Sequence, residues 1–180
     1  MPITRRTAIK NFLIISGGII LLPGCVHHEG SASIVLKNIS LTGNDEKLLS
    51  EIAGTMIPKT DTPGADDLQT HLFTMKMIDD CFDSEHQQQF IKGLKEINPL
   101  SKKVYDKTFS EASNDQRVAL LNNIELKKYP SKDLTSFYGM MKHLTIEGYM
   151  SSKYVGTNLI IYELVPGRFH GTFPIKKNLA

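Results

Sequence analysis

Ser131-Lys132-Asp133-Leu134-Thr135-Ser136-Phe137-Tyr138-Gly139-Met140-Met141-Lys142-His143-Leu144-Thr145-Ile146-Glu147-Gly148 decides the fold class. Leu134, Phe137, Met141 and Leu144 recur at three- and four-residue spacing, so a turn of about 100° per residue gathers them on one side of a helix. Ser131 stands where an N-cap belongs, its hydroxyl free to accept from an orphan amide of the first turn. Gly148 stands where a helix C-terminus commonly stops, because glycine enters the left-handed region without steric cost. A helix is predicted over 131–148.

The same signals recur upstream. Ser113 with Gln116 is a capping box for a helix over about 114–127, with Val118, Leu121 and Ile124 inward. Ser84 with Gln87 repeats the box, and Phe90, Leu94 and Ile97 carry that helix's stripe. Asn98-Pro99 either kinks this helix or ends it, with a stretch resuming to about Lys107. A helix over about 66–82 turns Leu68, Leu72, Met75 and Ile78 inward. Another over about 43–56 carries Leu48, Leu49, Ile52 and Met56, with Asp45 and Glu46 suited to its N-terminus and Pro58 closing it. A short sixth helix is expected over about 152–163. No strand pair alternates, so the class is all-α, with five to six helices.

Two segments break the helical pattern. Ile57-Pro58-Lys59-Thr60-Asp61-Thr62-Pro63-Gly64-Ala65 is a rigid loop: two prolines fix φ, and Asp61 and the threonines can bond nearby backbone. The tail from Tyr162 to Ile175 is rich in Pro, Gly and aromatic residues and has no helical period. Its apolar residues need a surface to cover, either the chain's own core or a partner.

The first 25 residues form an address. Arg5-Arg6 is followed by Ile9 and Lys10 in the twin-arginine pattern, with Ala8 where Phe is common. The apolar run Phe12–Leu22 reaches about 16 Å as helix, too short for a bilayer core of roughly 30 Å. It is therefore a signal core and not a transmembrane helix. Leu22-Pro23-Gly24-Cys25 resembles a lipobox, in which the Cys25 thiol accepts a lipid and becomes the new N-terminus. Residues 26–40 read as a tether to a helical domain over 41–180.

The leader also explains the charge. The chain carries 21 basic and 19 acidic side chains, a formal +2, but Arg5, Arg6 and Lys10 belong to the leader, so 18 and 19 remain and the mature chain stands at −1. A nucleic-acid surface is not expected. Lys102-Lys103 and Lys127-Lys128 read as solvated pairs. With Cys25 spent on the anchor, Cys81 is a lone cysteine, expected as a small buried hydrophobe.

The motifs of phosphate cradles, serine hydrolases and zinc peptidases are absent. His27 and His28 sit in the tether without a further ligand. His143 and Glu147, four apart, share a helix face and read as a solvated pair; His71 with Asp79 or Asp80 is a weaker combination. Asp66-Asp67 suit a helix N-terminus, whereas Asp79-Asp80 read as solvated. Met75, Met77, Met140 and Met141 read as adaptable packing. No catalytic, cofactor or metal residue is expected on this chain.

The loop and the tail together resemble the gluconate 2-dehydrogenase subunit 3 family. Ile57–Ala65 is similar to its hallmark IPxTDTPGA; Glu147-Gly148-Tyr149-Met150-Ser151-Ser152 with Gly156 is similar to its EGYYTS…G segment, Met150 and Ser151 departing from it. Pro166-Gly167, Gly171 and Pro174 are similar to its closing PGxxxGxxP. The resemblance implies a non-catalytic small subunit of a membrane-associated dehydrogenase acting on a sugar, glycoside or sugar acid. It implies a large FAD-containing partner of the glucose–methanol–choline oxidoreductase type and a cytochrome c as electron acceptor. The small subunit supplies the export signal and supports maturation of the large one.

The expected partner-binding residues are then Ile57, Pro58, Thr60, Asp61, Thr62, Pro63, Gly64, Gly148, Tyr149, Pro166 and Gly167. Export through Arg5 and Arg6 and lipidation at Cys25 would place the protein in the periplasm, on a membrane. Two other readings stay open: a free-standing exported lipoprotein that binds or scaffolds, and an enzyme using His143, Glu147 or Cys81.

Overall fold

In the computed structural model five α-helices are joined by short connections, and the described residues are 30–160 with Gly167 and Thr172. The helices are α1 Gly43–Met56, α2 Thr70–Cys81, α3 Ser84–Tyr105, α4 Asn114–Glu125 and α5 Lys132–Met150, followed by a π-helical turn Val155–Leu159. No strand occurs among the described residues, and the class is all-α as expected. Arg5, Arg6, Cys25 and Pro166 lie outside the described residues, as does nearly all of the Pro/Gly-rich tail.

The centre is α5, which touches each of the other four helices. It can do so because Leu134, Phe137, Tyr138, Met141, Leu144, Thr145, Gly148 and Tyr149 are all buried, a stripe wide enough for several neighbours. Phe137 meets Phe90 of α3 with ring centroids 4.9 Å apart, a tilted pair at the middle of the core. Ser131 caps the helix by accepting from the Leu134 amide at 3.1 Å.

Helix α1 matches its predicted bounds, with a capping box between Thr42 and Asp45 at its start. Helix α2 starts four residues later than expected. Residues 65–69 form turns, and Gln69 sits in the left-handed region at φ 53° before the helix begins. Helix α3 is capped by Asp83, which accepts from the His86 amide, and not by Ser84. Gln87, read as half of a capping box, is buried and donates to the Ile78 and Asp79 carbonyls at 3.0 Å, closing the C-terminus of α2. Pro99 neither ends nor interrupts α3. It lies on the exposed side, where water can serve the carbonyl that a proline cannot. Asp106, at φ 56°, ends the helix instead.

The capping box of α4 forms as expected between Ser113 and Gln116. Its buried stripe is Leu120, Leu121 and Ile124, whereas Val118 is 38% exposed. Arg117 shares the face of that stripe by helical spacing, and its guanidinium lies over the Phe109 ring at 5.4 Å and donates to the Phe109 and Ala112 carbonyls, tying this face and not that of Val118 to the loop before the helix. Gly148 is not a stop: α5 continues to Met150 with Gly148 buried inside it.

Part of the stretch read as a tether packs on the helical domain. From Ala32 onward the chain is laid on the helices as a looped strap whose ends meet, the Ala32 amide donating to the Leu41 carbonyl at 3.2 Å, with Ile39 and Leu41 in the core and Ile34 and Leu36 half-buried. Asp79 pins it. Its carboxylate is buried and accepts from the amides of Lys37, Asn38 and Ile39 at 2.8, 2.7 and 3.0 Å. Burial alone would raise the Asp79 pKa, but these three amides and Lys76 outweigh it and hold the carboxyl below its ordinary value. A second clasp is Glu46, which accepts from the Ser33 amide and hydroxyl, both at 2.6 Å.

Candidate functional site

The loop between α1 and α2 is closed by its own backbone. The Ala65 amide donates to the Ile57 carbonyl at 2.9 Å, so the two ends of the nine-residue segment meet. Inside it the Thr60 amide donates to the Thr62 carbonyl at 3.0 Å. Gly64 is buried at the base, and a Cβ there would approach the Lys59 amide nitrogen to 2.9 Å. The Gly64 amide and the Lys59 ammonium both bind the Asp67 carboxylate, at 3.1 and 3.3 Å. Those two contacts lower the Asp67 pKa, the amide most.

The second brace comes from α5. The Tyr149 hydroxyl donates to the Pro63 carbonyl at 2.9 Å and lies 3.4 Å from the Thr62 hydroxyl. Beside it, Gly148 lies against Phe73 of α2; a Cβ on it would stand 2.8 Å from the Phe73 Cδ1. The glycine thus lets α5 approach α2 closely enough for the next residue to reach the loop. Two motifs far apart in sequence meet here and divide the work. Gly64, Gly148 and Tyr149 are buried and set the shape. Pro58, Lys59, Thr60 and Asp61 form an exposed tip, with Ile57, Thr62 and Pro63 partly covered behind it. Gly167, also singled out by sequence, is exposed.

Ile57 also borders a cleft of about 310 Å³ between α1, α4 and α5. Met56, Val118, Leu121 and Ile146 give it an apolar lining, and Val118 and Ile146 are 38% and 46% exposed. Its charges are spent internally. Glu125 accepts from Lys142 at 2.6 Å and from the Tyr138 hydroxyl at 2.7 Å. Those bonds lower the Glu125 pKa, Lys142 most, while burial and then Glu125 push the Tyr138 phenol up. Periodicity did not reveal this cleft, since its lining comes from three helices.

The remaining sequence candidates are dispersed. The His143 Nε2 lies 3.7 Å from Glu147 on the open face of α5, with 77% of the His143 side chain exposed. Cys81 is exposed and not the buried hydrophobe expected: it ends α2, where the chain turns away toward α3. His71 pairs neither with Asp79 nor with Asp80; it is buried, with Nε2 3.9 Å from Glu46. Asp79, expected in solvent, is the strap's anchor. Among the described residues no three His, Cys, Asp or Glu side chains form a metal-sized cluster. No described helix is long and apolar enough to cross a membrane.

The chain matches the model of the family described as gluconate 2-dehydrogenase subunit 3 over residues 44–167, more than half of its length. No curated protein and no solved structure matches it. The matched span contains the braced loop, the five helices but for Gly43, and the Gly148-Tyr149 brace, and the chain belongs to the gluconate 2-dehydrogenase subunit 3 family.

Proposed function

We propose that this chain is the non-catalytic small subunit of a membrane-associated, FAD-dependent dehydrogenase of sugars, glycosides or sugar acids. It docks on the large subunit through the Pro58–Asp61 tip and the adjoining cleft. Its Arg5-Arg6 signal carries the folded pair across the membrane, and Cys25, once lipidated, holds it on the periplasmic side. A cytochrome c takes the electrons.

The observation that carries the reading is the braced loop. An exposed tip whose backbone is fixed from both ends loses little conformational entropy on binding, which favours a docking surface over a flexible linker. The family name supports the coarser statement, that the chain serves in a complex with other subunits. The flavin belongs to the partner on this reading. Within the cleft, Glu125, Tyr138 and Lys142 bind one another and leave no cradle of amides for a pyrophosphate, so no step is routed through a flavin here.

A tagged copy recovered from native membranes tests this. A large co-purifying chain with a flavin spectrum that bleaches on adding sugars is expected. A colourless chain without a partner, from membranes whose other complexes stay intact, would refute it.

A further inference from the structure

The strap changes what a lipid on Cys25 would do. Ala32–Leu41 is clasped by Glu46 and Asp79, so only the six residues 26–31 of the sequence separate Cys25 from the clasped strap. Seven steps of fully extended chain reach about 25 Å at most. A domain on so short a leash keeps one side next to the headgroups.

Charge selects that side. Lys92, Lys95, Lys102 and Lys103 of α3 are all exposed. At about 100° per residue they fall within one arc of about 100°, opposite the buried Phe90, Leu94, Ile97 and Ser101. None of the four is in an ion pair among the described residues. The acids nearby are partly engaged: Glu85, on the same arc in the first turn, accepts from the Gln89 side-chain amide at 3.2 Å, Glu96 accepts the Ser131 hydroxyl, and Glu111 binds Thr108 and feels Lys102; Asp106 is exposed at the helix end.

We propose that the α3 lysine face rests on anionic phospholipid headgroups, fixing which side of the anchored domain meets the membrane. The proposal rests on the lipid anchor at Cys25 given above. It leaves the loop tip and the cleft to the protein partner.

The test uses the full chain, processed by its own cell and extracted with its accompanying subunits. It is reconstituted into vesicles of phosphatidylcholine alone or with about one third phosphatidylglycerol. Lysine acetylation is then followed residue by residue by mass spectrometry. On anionic vesicles at low salt, Lys92, Lys95, Lys102 and Lys103 should react about fivefold more slowly, with Lys59 and Lys153 unchanged, and high salt should erase the difference. The double variant K95E/K102E should lose the lipid effect at Lys92 and Lys103 while keeping its melting temperature.

Equal rates on both lipids overturn the proposal. So does protection that ignores lipid and disappears when the other subunits are stripped, since a protein surface then covers the face. A Cys25→Ala chain should appear in the soluble fraction. If it stays membrane-bound the anchor itself is wrong, whereas an anchored chain with unprotected lysines removes only the orientation.

Discussion

The Tyr149 hydroxyl donates to the Pro63 carbonyl at 2.9 Å, joining the end of α5 to a loop 86 residues away. The bond places a helix end behind a surface loop, so losing it should loosen the loop more than the core. Tyr149→Phe keeps the ring and removes the donor. It should cost about 1 kcal/mol, the net worth of one such hydrogen bond. It should also lower recovery of the partner chain in a pull-down. Unchanged recovery together with a lower melting temperature would make the bond structural only.

Gly148→Ala sets a methyl group 2.8 Å from the Phe73 Cδ1. Overpacking of this kind costs about 1–3 kcal/mol. Chemical denaturation should show it, and Phe73→Ala should absorb part of the loss. The double variant should be about 1 kcal/mol more stable than the sum of the single effects requires. Strict additivity would show that the two residues do not meet in solution.

Asp79→Asn leaves the Lys37, Asn38 and Ile39 amides without a carboxylate. Bonds to a charged acceptor contribute about 1.5–3 kcal/mol, so the strap should open in the variant. Hydrogen exchange at those three amides should accelerate well before exchange at α5. The pH sign follows from the lowered pKa: the stabilisation is present above the unfolded value near 3.8 and is lost as pH falls through the folded one. Asp79→Asn should remove its share of the acid dependence, so that denaturation midpoints fall less steeply with acid than in the wild type.

His71 gives the opposite case for a base. Burial lowers its pKa, and Glu46 and Asp66 only partly offset this, so the folded chain binds the proton less well than the unfolded chain does. Stability from the neutral ring is complete above about 6.5 and is lost as pH falls below it toward the folded value. Urea midpoints at neutral and mildly acidic pH should differ in the wild type and converge in His71→Asn. A wild-type midpoint that rises on acidification would contradict this, showing that the Glu46 charge outweighs burial.

The tip of the loop should separate binding from folding. Asp61 is exposed, so Asp61→Arg should leave the melting temperature within about a degree, as surface substitutions generally do. Partner recovery should fall about tenfold, the effect of one unfavourable charge at a docking surface. Full recovery with Asp61→Arg would move the docking surface away from the tip.

The sequence by itself determined the helices whose signals are local. The α1 bounds, the Ser113-Gln116 box and the apolar stripe from Leu134 to Leu144 depend on residues within a turn or two of each other, and the same local chemistry operates in the folded chain. It also singled out the Ile57–Ala65 loop and the Gly148-Tyr149 pair, through a resemblance and not through their geometry. Only the tertiary structure decided what those residues do. Gly148 reads as a stop until Phe73 arrives against it, and Gln87 reads as a cap until the end of α2 offers two carbonyls. Asp79 reads as solvated until the strap brings three amides to it. Each of these roles is set by a group from another element, many residues away in most cases, and no period or capping pattern in one segment carries information about a partner that folding alone brings within hydrogen-bond distance.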